Sequence, residues 1–414
     1  MMDHYEKRDE LLFLTAYTLW LISAVLSITL WQRYDAVDLL CEYFRKTAYL
    51  LLVGKFLLKR RYTDRDVVGV LVIIFVCAVT AHSDNNKQLL PVVLFVYSAA
   101  GIRFEKILKV TFIVQTAIMV LTVAGSQLGL IRDLMWYEGE RARHSLGYDY
   151  CGYPAHLLLF MTLMWVCIRK KAHFIDCAVL LAVNYVIYLL TDSRTDFYLS
   201  VLGIVGFFVW ERMPRLKAAD RARSFLSRFG FHIACVLSIA VHWIYDPQNP
   251  VWLRMNQTLN NRLQLGYDAI HEYGFSLFGE NIKWYGQGSL RSDPTRVYNY
   301  VDCAFLKETL TFGLLFLCLL AVGYYLAGRK AERRGDILIS WAVLISLAYS
   351  VINAHLCVLT FNVFILLLSA AFEADELPLC FDRMVTGSGH EKPPAAERIQ
   401  EGVSENDWQT TKEC

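Results

Sequence analysis

The sequence predicts an all-α, polytopic membrane protein of about twelve transmembrane helices, on three observations. The 414-residue chain is 56% hydrophobic and 19% charged, with a mean hydropathy of +0.35. Its apolar residues gather in runs approaching the ~20 residues that cross a ~30 Å hydrocarbon core, a pattern soluble domains do not carry. Its basic residues gather in every second connection, the asymmetry expected of cytoplasmic loops.

Taken in order, a short charged N-terminus leads into a first span over 11–31, whose end lacks a small-x-small exit, so no cleaved signal is expected. The second span, 37–58, carries Glu42, Arg45 and Lys46 in its first half, so that half is amphipathic or turns its charges to a protein interior. Spans three to five cover 67–81, 89–102 and 107–125. A polar loop, 126–153, precedes span six at 154–168. Span seven, 174–191, meets Asp192-Ser-Arg-Thr-Asp196, and span eight returns to Trp210. A basic stretch, 211–228, leads to span nine at 229–245. Then comes a polar, aromatic-rich loop of 55 residues, 246–300, long enough to be functional rather than a mere connection. Spans ten to twelve cover 301–327, 337–352 and 355–372. The transmembrane region thus occupies 1–373, and 374–414 reads as a polar, disordered cytoplasmic tail.

A twelve-span count puts Lys59 to Arg65, Arg103/Lys106, Arg169 to Lys171, 211–228 and Arg329 to Arg334 on one side. That side is the cytoplasm, and it takes both termini. The loops 126–153, 192–196 and 246–300 then face outward. Eleven cysteines are scattered, most inside apolar spans, with no CxxC and no Cys/His metal spacing; Cys151 and Cys303 alone reach loops. A disulfide framework and a metal site are not expected.

The outward loops share arginines close to aromatic residues: Arg141, Arg143 with His144, then Arg194, then Arg254, Arg262, Arg291 and Arg296. Guanidinium groups contact phosphate or carboxylate in bidentate fashion, and Tyr or Trp faces suit sugar rings and membrane interfaces. Simpler readings stand beside this one. Arg141 and Arg143 pair with Glu138 and Glu140 in a solvated loop, and His144 is an ordinary surface histidine. Ser193 and Asp196 form a helix-start capping box, with Arg194 tied to a neighbouring aspartate. Arg262 is a loop–helix charge, Asp302 answers a helix dipole, and Lys307 and Glu308 pair locally or snorkel. No phosphate-binding glycine loop, HExxH, GxSxG or soluble DxD pair is present, which argues against ATP-driven and nucleotide-sugar chemistry.

Four stretches then carry a likeness: RARHSLGYDYCGYPAHLLL (141–159), LLTDSRTDFYLSVLG (189–203), LNNRLQLGYDAIHEYGFSLFGENIKWYG (259–286) and VYNYVDCAFLKETLTFGLLFL (297–317). Their order and spacing resemble the O-antigen polymerase/ligase superfamily, especially the Wzy-type repeat-unit polymerases of capsule and exopolysaccharide pathways. Where that family has Ser-Gly before the loop arginine, this chain has Asn260-Asn261.

The resemblance implies a GT-C-like glycosyltransferase of the bacterial cytoplasmic membrane, acting on its outer face without cofactor, metal or nucleic acid. It would join undecaprenyl-diphosphate-linked oligosaccharide units, passing the growing glycan to a hydroxyl of an incoming unit. A flippase and a chain-length regulator of the same pathway are the expected protein partners. Arg143, Arg194 and Arg262 match the motif arginines and would hold pyrophosphate, with Arg141, His144, His271 and Tyr298 as further substrate contacts. Asp302 is the expected group that activates the acceptor hydroxyl, with His271 and Glu280 as alternatives. Two other readings are a lipid-linked oligosaccharide transporter and a ligase passing finished glycan to another acceptor. Against a transporter, no half-repeat is visible and the polar residues lie in loops.

Overall fold

The computed structural model describes residues 2–59, 63–82, 89–138, 141–212, 217–287, 293 and 295–373. The predicted tail, Arg60, Arg61, Glu140 and Arg291 lie outside the described residues. Met1–Phe381 forms one compact unit; the second unit, Asp382–Cys414, also lies outside them.

The chain is mostly helical, running α1 (Met2–Leu26), α2 (Asp35–Leu57), α3 (Asp64–His82), α4 (Leu89–Ser98), α5 (Phe104–Gln127), α6 (Tyr153–Arg169), α7 (Phe174–Thr191) and α8 (Arg194–Arg212). It continues through α9 (Lys217–Trp243), α10 (Pro250–Thr258), α11 (Arg262–Tyr273), α12 (Ala304–Arg334) and α13 (Ile337–Ile352). Among the described residues, five segments are long and apolar enough to cross a membrane: Lys7–Leu26, Phe104–Gln127, Phe174–Thr191, Asp220–Trp243 and Ala304–Arg334. Shorter apolar helices stand among them, including α4, α6 and α13. α6 is buried nearly all round, through Leu157, Leu159, Phe160, Met164 and Cys167. α7 turns Ile175, Val179, Val183, Val186 and Leu189 outward, which suits lipid and not water.

Several expected elements take a different form. The first helix stops at Leu26, and a 3₁₀ turn at Leu30–Arg33 replaces the end of the expected span; Leu30 N donates to Gly147 O at 2.8 Å. The stretch expected as the twelfth span is not an α-helix. Turns occupy 355–362, held by Asn362 Nδ2 donating to Leu356 O, and a 3₁₀ helix follows at Val363–Phe372. The loop 126–153 holds an antiparallel hairpin, β1 (Met135–Glu138) and β2 (Arg141–His144), pairing Trp136 with Arg143 and Met135 with His144. The long loop holds α10 and α11. α10 begins as its sequence dictates, with Asn249 Oδ1 accepting from Val251 N at 2.9 Å and Pro250 in the first turn, where a missing N–H costs nothing.

The tenth span is broken. Gly313 sits at φ 87° and ψ 170° inside α12. A helix break inside a bundle leaves backbone groups without partners, which must be satisfied by protein. The stretch 276–280 of the long loop supplies them. Leu314 N donates to Ser276 O (3.0 Å), Leu315 N to Leu277 O (3.2 Å), and Glu280 N to Leu310 O (2.9 Å). Trp284 Nε1 adds a bond to Thr311 Oγ1 at 3.0 Å. The long loop is therefore anchored in the bundle, which sets the position of the site beside it.

Candidate active site

A cavity of about 1000 Å³ opens at the hairpin end of the bundle. Its walls come from β2, the start of α6, the α7–α8 turn, the α10–α11 turn, the end of the long loop and the segment after α13. Arg141, Arg143, Arg194, Arg262, Tyr298 and Asp302 all line it, so most residues expected from the sequence meet there.

Two-residue periodicity puts Arg141 and Arg143 on the same side of β2. Arg143 Nε donates to Thr191 O (2.7 Å), and its Nη2 to Ser193 Oγ (3.2 Å). Arg141 pairs with the Asp192 carboxylate and donates to Asp192 O at 3.0 Å. Asp192 closes α7 in a left-handed conformation (φ 46°), which turns its side chain back to these arginines. Burial works to raise the Asp192 carboxyl, but hydrogen bonds and charge from Arg141, then Arg194, hold it below the usual carboxylate range. Arg194 Nε reaches Asp192 at 3.3 Å, yet its side chain is 59% exposed and free to swing toward a ligand. Any pairing of Arg141 or Arg143 with Glu138 or Glu140 lies outside the described side chains.

The α10–α11 turn explains the paired asparagines. Asn260 and Asn261 both have positive φ, 53° and 62°, which asparagine tolerates better than most residues. Buried Asn256 holds the turn, donating to Asn261 Oδ1 (3.2 Å) and accepting from Gln264 N (3.1 Å). The turn delivers Arg262, whose Nε donates to Asp302 Oδ2 at 2.8 Å. Burial pushes the Asp302 carboxyl above the usual carboxylate range, and Arg262 draws it only partway back. Asp302 lies two residues before α12, with Cys303 as the helix cap, and its described bond goes to Arg262. Burial, with the Asp302 charge behind it, raises the Tyr298 phenol; burial pushes Tyr150 up to about 12.

Five of the expected residues do not reach the cavity. His144 faces away and pairs with Asp133 (2.5 Å), which also accepts from Leu146 N (2.8 Å), so it props the hairpin. His271 stacks on Tyr267, with ring centroids 3.9 Å apart, and bonds Tyr267 O on the outer face of α11. Glu280 is committed to the α12 break through its backbone. Arg296 pairs with Asp293 at 3.0 Å and covers the Tyr285 ring. For His144 and His271 the reason is shared: neighbours in sequence diverge once a strand or helix assigns them to opposite faces. Arg254 is also absent from the lining.

The cavity also holds groups that spacing did not reveal. His156 Nδ1 meets Asp196 Oδ1 at 2.7 Å, both side chains nearly buried. Asp196 occupies the third position of α8, as a capping box requires, but it turns to His156 and Ser193 Oγ accepts from Arg143. With Nδ1 engaged, Nε2 is left on the side of Gly152, where an added Cβ would lie 2.8 Å from it. The His355 ring sits 4.9 Å from His156, and His355 Nδ1 is 3.1 Å from Tyr349 Oη. Outside the lining, half-buried Lys307 reaches Tyr300 Oη at 3.1 Å rather than snorkelling. Among the described residues no three His, Cys, Asp or Glu side chains assemble as metal ligands.

Chemically, the arrangement offers four guanidinium groups for an anion, tyrosines and Trp284 for a polar, ring-bearing ligand, and an imidazole oriented by a carboxylate. Compared with protein-family models, curated proteins and solved structures, the chain matches none of them.

Proposed function

We propose that the chain is a membrane glycosyltransferase that polymerises lipid-diphosphate-linked oligosaccharide units, with undecaprenyl the expected lipid. In this reading the polypeptide makes about twelve crossings in a GT-C-like arrangement of a bacterial plasma membrane. Both termini lie on the cytoplasmic side and the cavity faces outward. One observation carries the reading: Arg141, Arg143, Arg194 and Arg262, from three segments far apart in sequence, border one cavity with tyrosines between them. An anion joined to sugars and to a lipid suits that combination.

The arginines bind the donor's diphosphate, and their attraction grows as negative charge develops on it. Asp302 holds Arg262 in place, so His156 is the better candidate for the acceptor's proton. The acceptor hydroxyl gives that proton to His156 Nε2 while its oxygen bonds to the anomeric carbon of the donor glycan. The bond from that carbon to the diphosphate breaks, and its electron pair leaves with the lipid diphosphate. Asp196 stabilises the imidazolium until the proton passes to solvent. His156→Gln is expected to lower kcat by about 10²–10⁴-fold with little change in KM, and Asp196→Asn by a similar factor. If Asp302→Asn slows chain growth and His156→Gln does not, the proton acceptor is Asp302.

The function is tested in liposomes carrying fluorescent lipid-diphosphate-linked units on both leaflets. The polymerase reading predicts lengthened glycans without movement of label between leaflets. Label that crosses with no lengthening marks a transporter, and single transfer to a different acceptor marks a ligase; either overturns the proposal.

A further inference from the structure

A second cavity, of about 560 Å³, lies at the opposite end of the bundle, among the starts of α1, α3 and α5 and the ends of α2 and α4. α5, whose first turn borders this cavity, has 24 residues and so runs about 36 Å toward the hairpin end at 1.5 Å per residue. Five cationic side chains face three carboxylates around it. Two of the pairs are closed: Lys59 with Asp66, whose carboxylate also accepts from Tyr97 Oη (2.8 Å) and Thr63 N (2.7 Å), and Lys106 with Glu10.

Lys55 is different. Its ammonium donates to Ser98 O and lies 5.2 Å from the Phe13 ring centroid, and no carboxylate pairs with it among the described ion pairs. Asp9 acts on it through space but forms no ion pair with it, and a part-buried ammonium with no carboxylate in contact is costly. Arg103 stands at the rim, exposed, with no described side-chain partner. A bound anion bridging Lys55 and Arg103 satisfies both. The surroundings indicate which anion. Beside the cavity, α2 and α3 turn Val53, Leu57, Val67, Val68 and Leu71 outward, each more than half exposed. Basic pockets between apolar helices at the positively charged end of a membrane protein suit the head group of an anionic lipid.

We propose that this cavity binds a phosphodiester, supplied as the head group of an anionic glycerophospholipid whose acyl chains lie along α2 and α3. The inference does not depend on the reading of the other cavity. Full-length protein in nanodiscs of phosphatidylcholine, with and without phosphatidylglycerol, is followed by thermal melting, and by native mass spectrometry for retained lipid. Phosphatidylglycerol is expected to raise the melting temperature and to remain bound. Lys55→Met and Arg103→Ala are each expected to weaken its retention about tenfold, the loss of one charge-assisted contact. Arg103→Ala removes an exposed side chain, so it reports even where Lys55→Met fails to fold. Inorganic phosphate that produces the same shift in phosphatidylcholine discs identifies a soluble anion and overturns the lipid assignment. Equal behaviour of both disc types, or retention unchanged in Arg103→Ala, overturns the site.

Discussion

Replacing Arg262 with alanine is expected to abolish long glycan while the protein still folds and inserts. Arg262 is held at the cavity wall by Asp302, 2.8 Å away, at the start of a helix whose turn is built to deliver it. A preorganised donor aimed at developing charge contributes roughly 10²–10³-fold in kcat, and removing it costs that factor. Arg262→Lys should recover little, because an ammonium cannot contact Asp302 and a diphosphate oxygen through a fixed planar fork. Arg143→Ala should lose a comparable factor and also free the α7–α8 turn, since its guanidinium bridges Thr191 and Ser193. Arg194→Ala keeps that scaffold, as its one described bond is to Asp192, so its loss reads the charge alone. Polymer length on gels, beside melting curves of the purified variants, separates the effects. Wild-type chain lengths in Arg262→Ala, Arg143→Ala and Arg194→Ala together would sink the clamp.

Gly313→Ala is expected to destabilise the protein by about 1–3 kcal/mol through strain in a backbone region open essentially to glycine alone, and the clash of the new Cβ adds to it. An added Cβ would lie 2.3 Å from Leu277 O and 2.4 Å from Gly279 N, both backbone atoms of the inserted loop stretch. Nothing there moves cheaply, because those atoms complete the hydrogen bonds of the break. Expelling the stretch 276–280 would also release Trp284 and Tyr300, which border the active cavity, so activity should fall with stability. The sign of the effect is informative. In an unbroken helix, glycine to alanine stabilises by up to about 1 kcal/mol. A raised melting temperature for Gly313→Ala would mean that α12 is continuous and the loop is not anchored in it.

Much of this architecture was legible in the sequence. Apolar runs located most helices to within a few residues, because burial along a helix leaves little freedom in composition, but they missed the polar ends of α1, α9 and α12, which start at Met2, start at Lys217 and run on to Arg334. Arg141, Arg143, Arg194 and Arg262 stand out in the sequence as permanent charges beside aromatic residues and apolar runs, and all four border one cavity. What stayed hidden depended on pairing across space. His156 sits in the apolar run PAHLLL and Asp196 in a helix-start motif, and only the packing of α6 against α8 joins them. Gly313 in TFGLLF reads as an ordinary membrane-helix glycine until the loop stretch is seen to occupy its break. His144 and His271 lie away from the cavity because the strand and helix faces that carry them were not fixed by local pattern. The last expected span takes a non-α form for a related reason: apolar composition specifies burial, whereas 355–362 buries itself in turns held by Asn362.

The most direct test is chain growth with purified components. Full-length protein in detergent is given defined lipid-diphosphate-linked repeat units, with a chelator present and no nucleotide, and the glycans are sized over time. A ladder whose rungs differ by one repeat unit, lost in Arg262→Ala, is the predicted result. Units that stay single in the presence of folded wild-type protein would contradict the account.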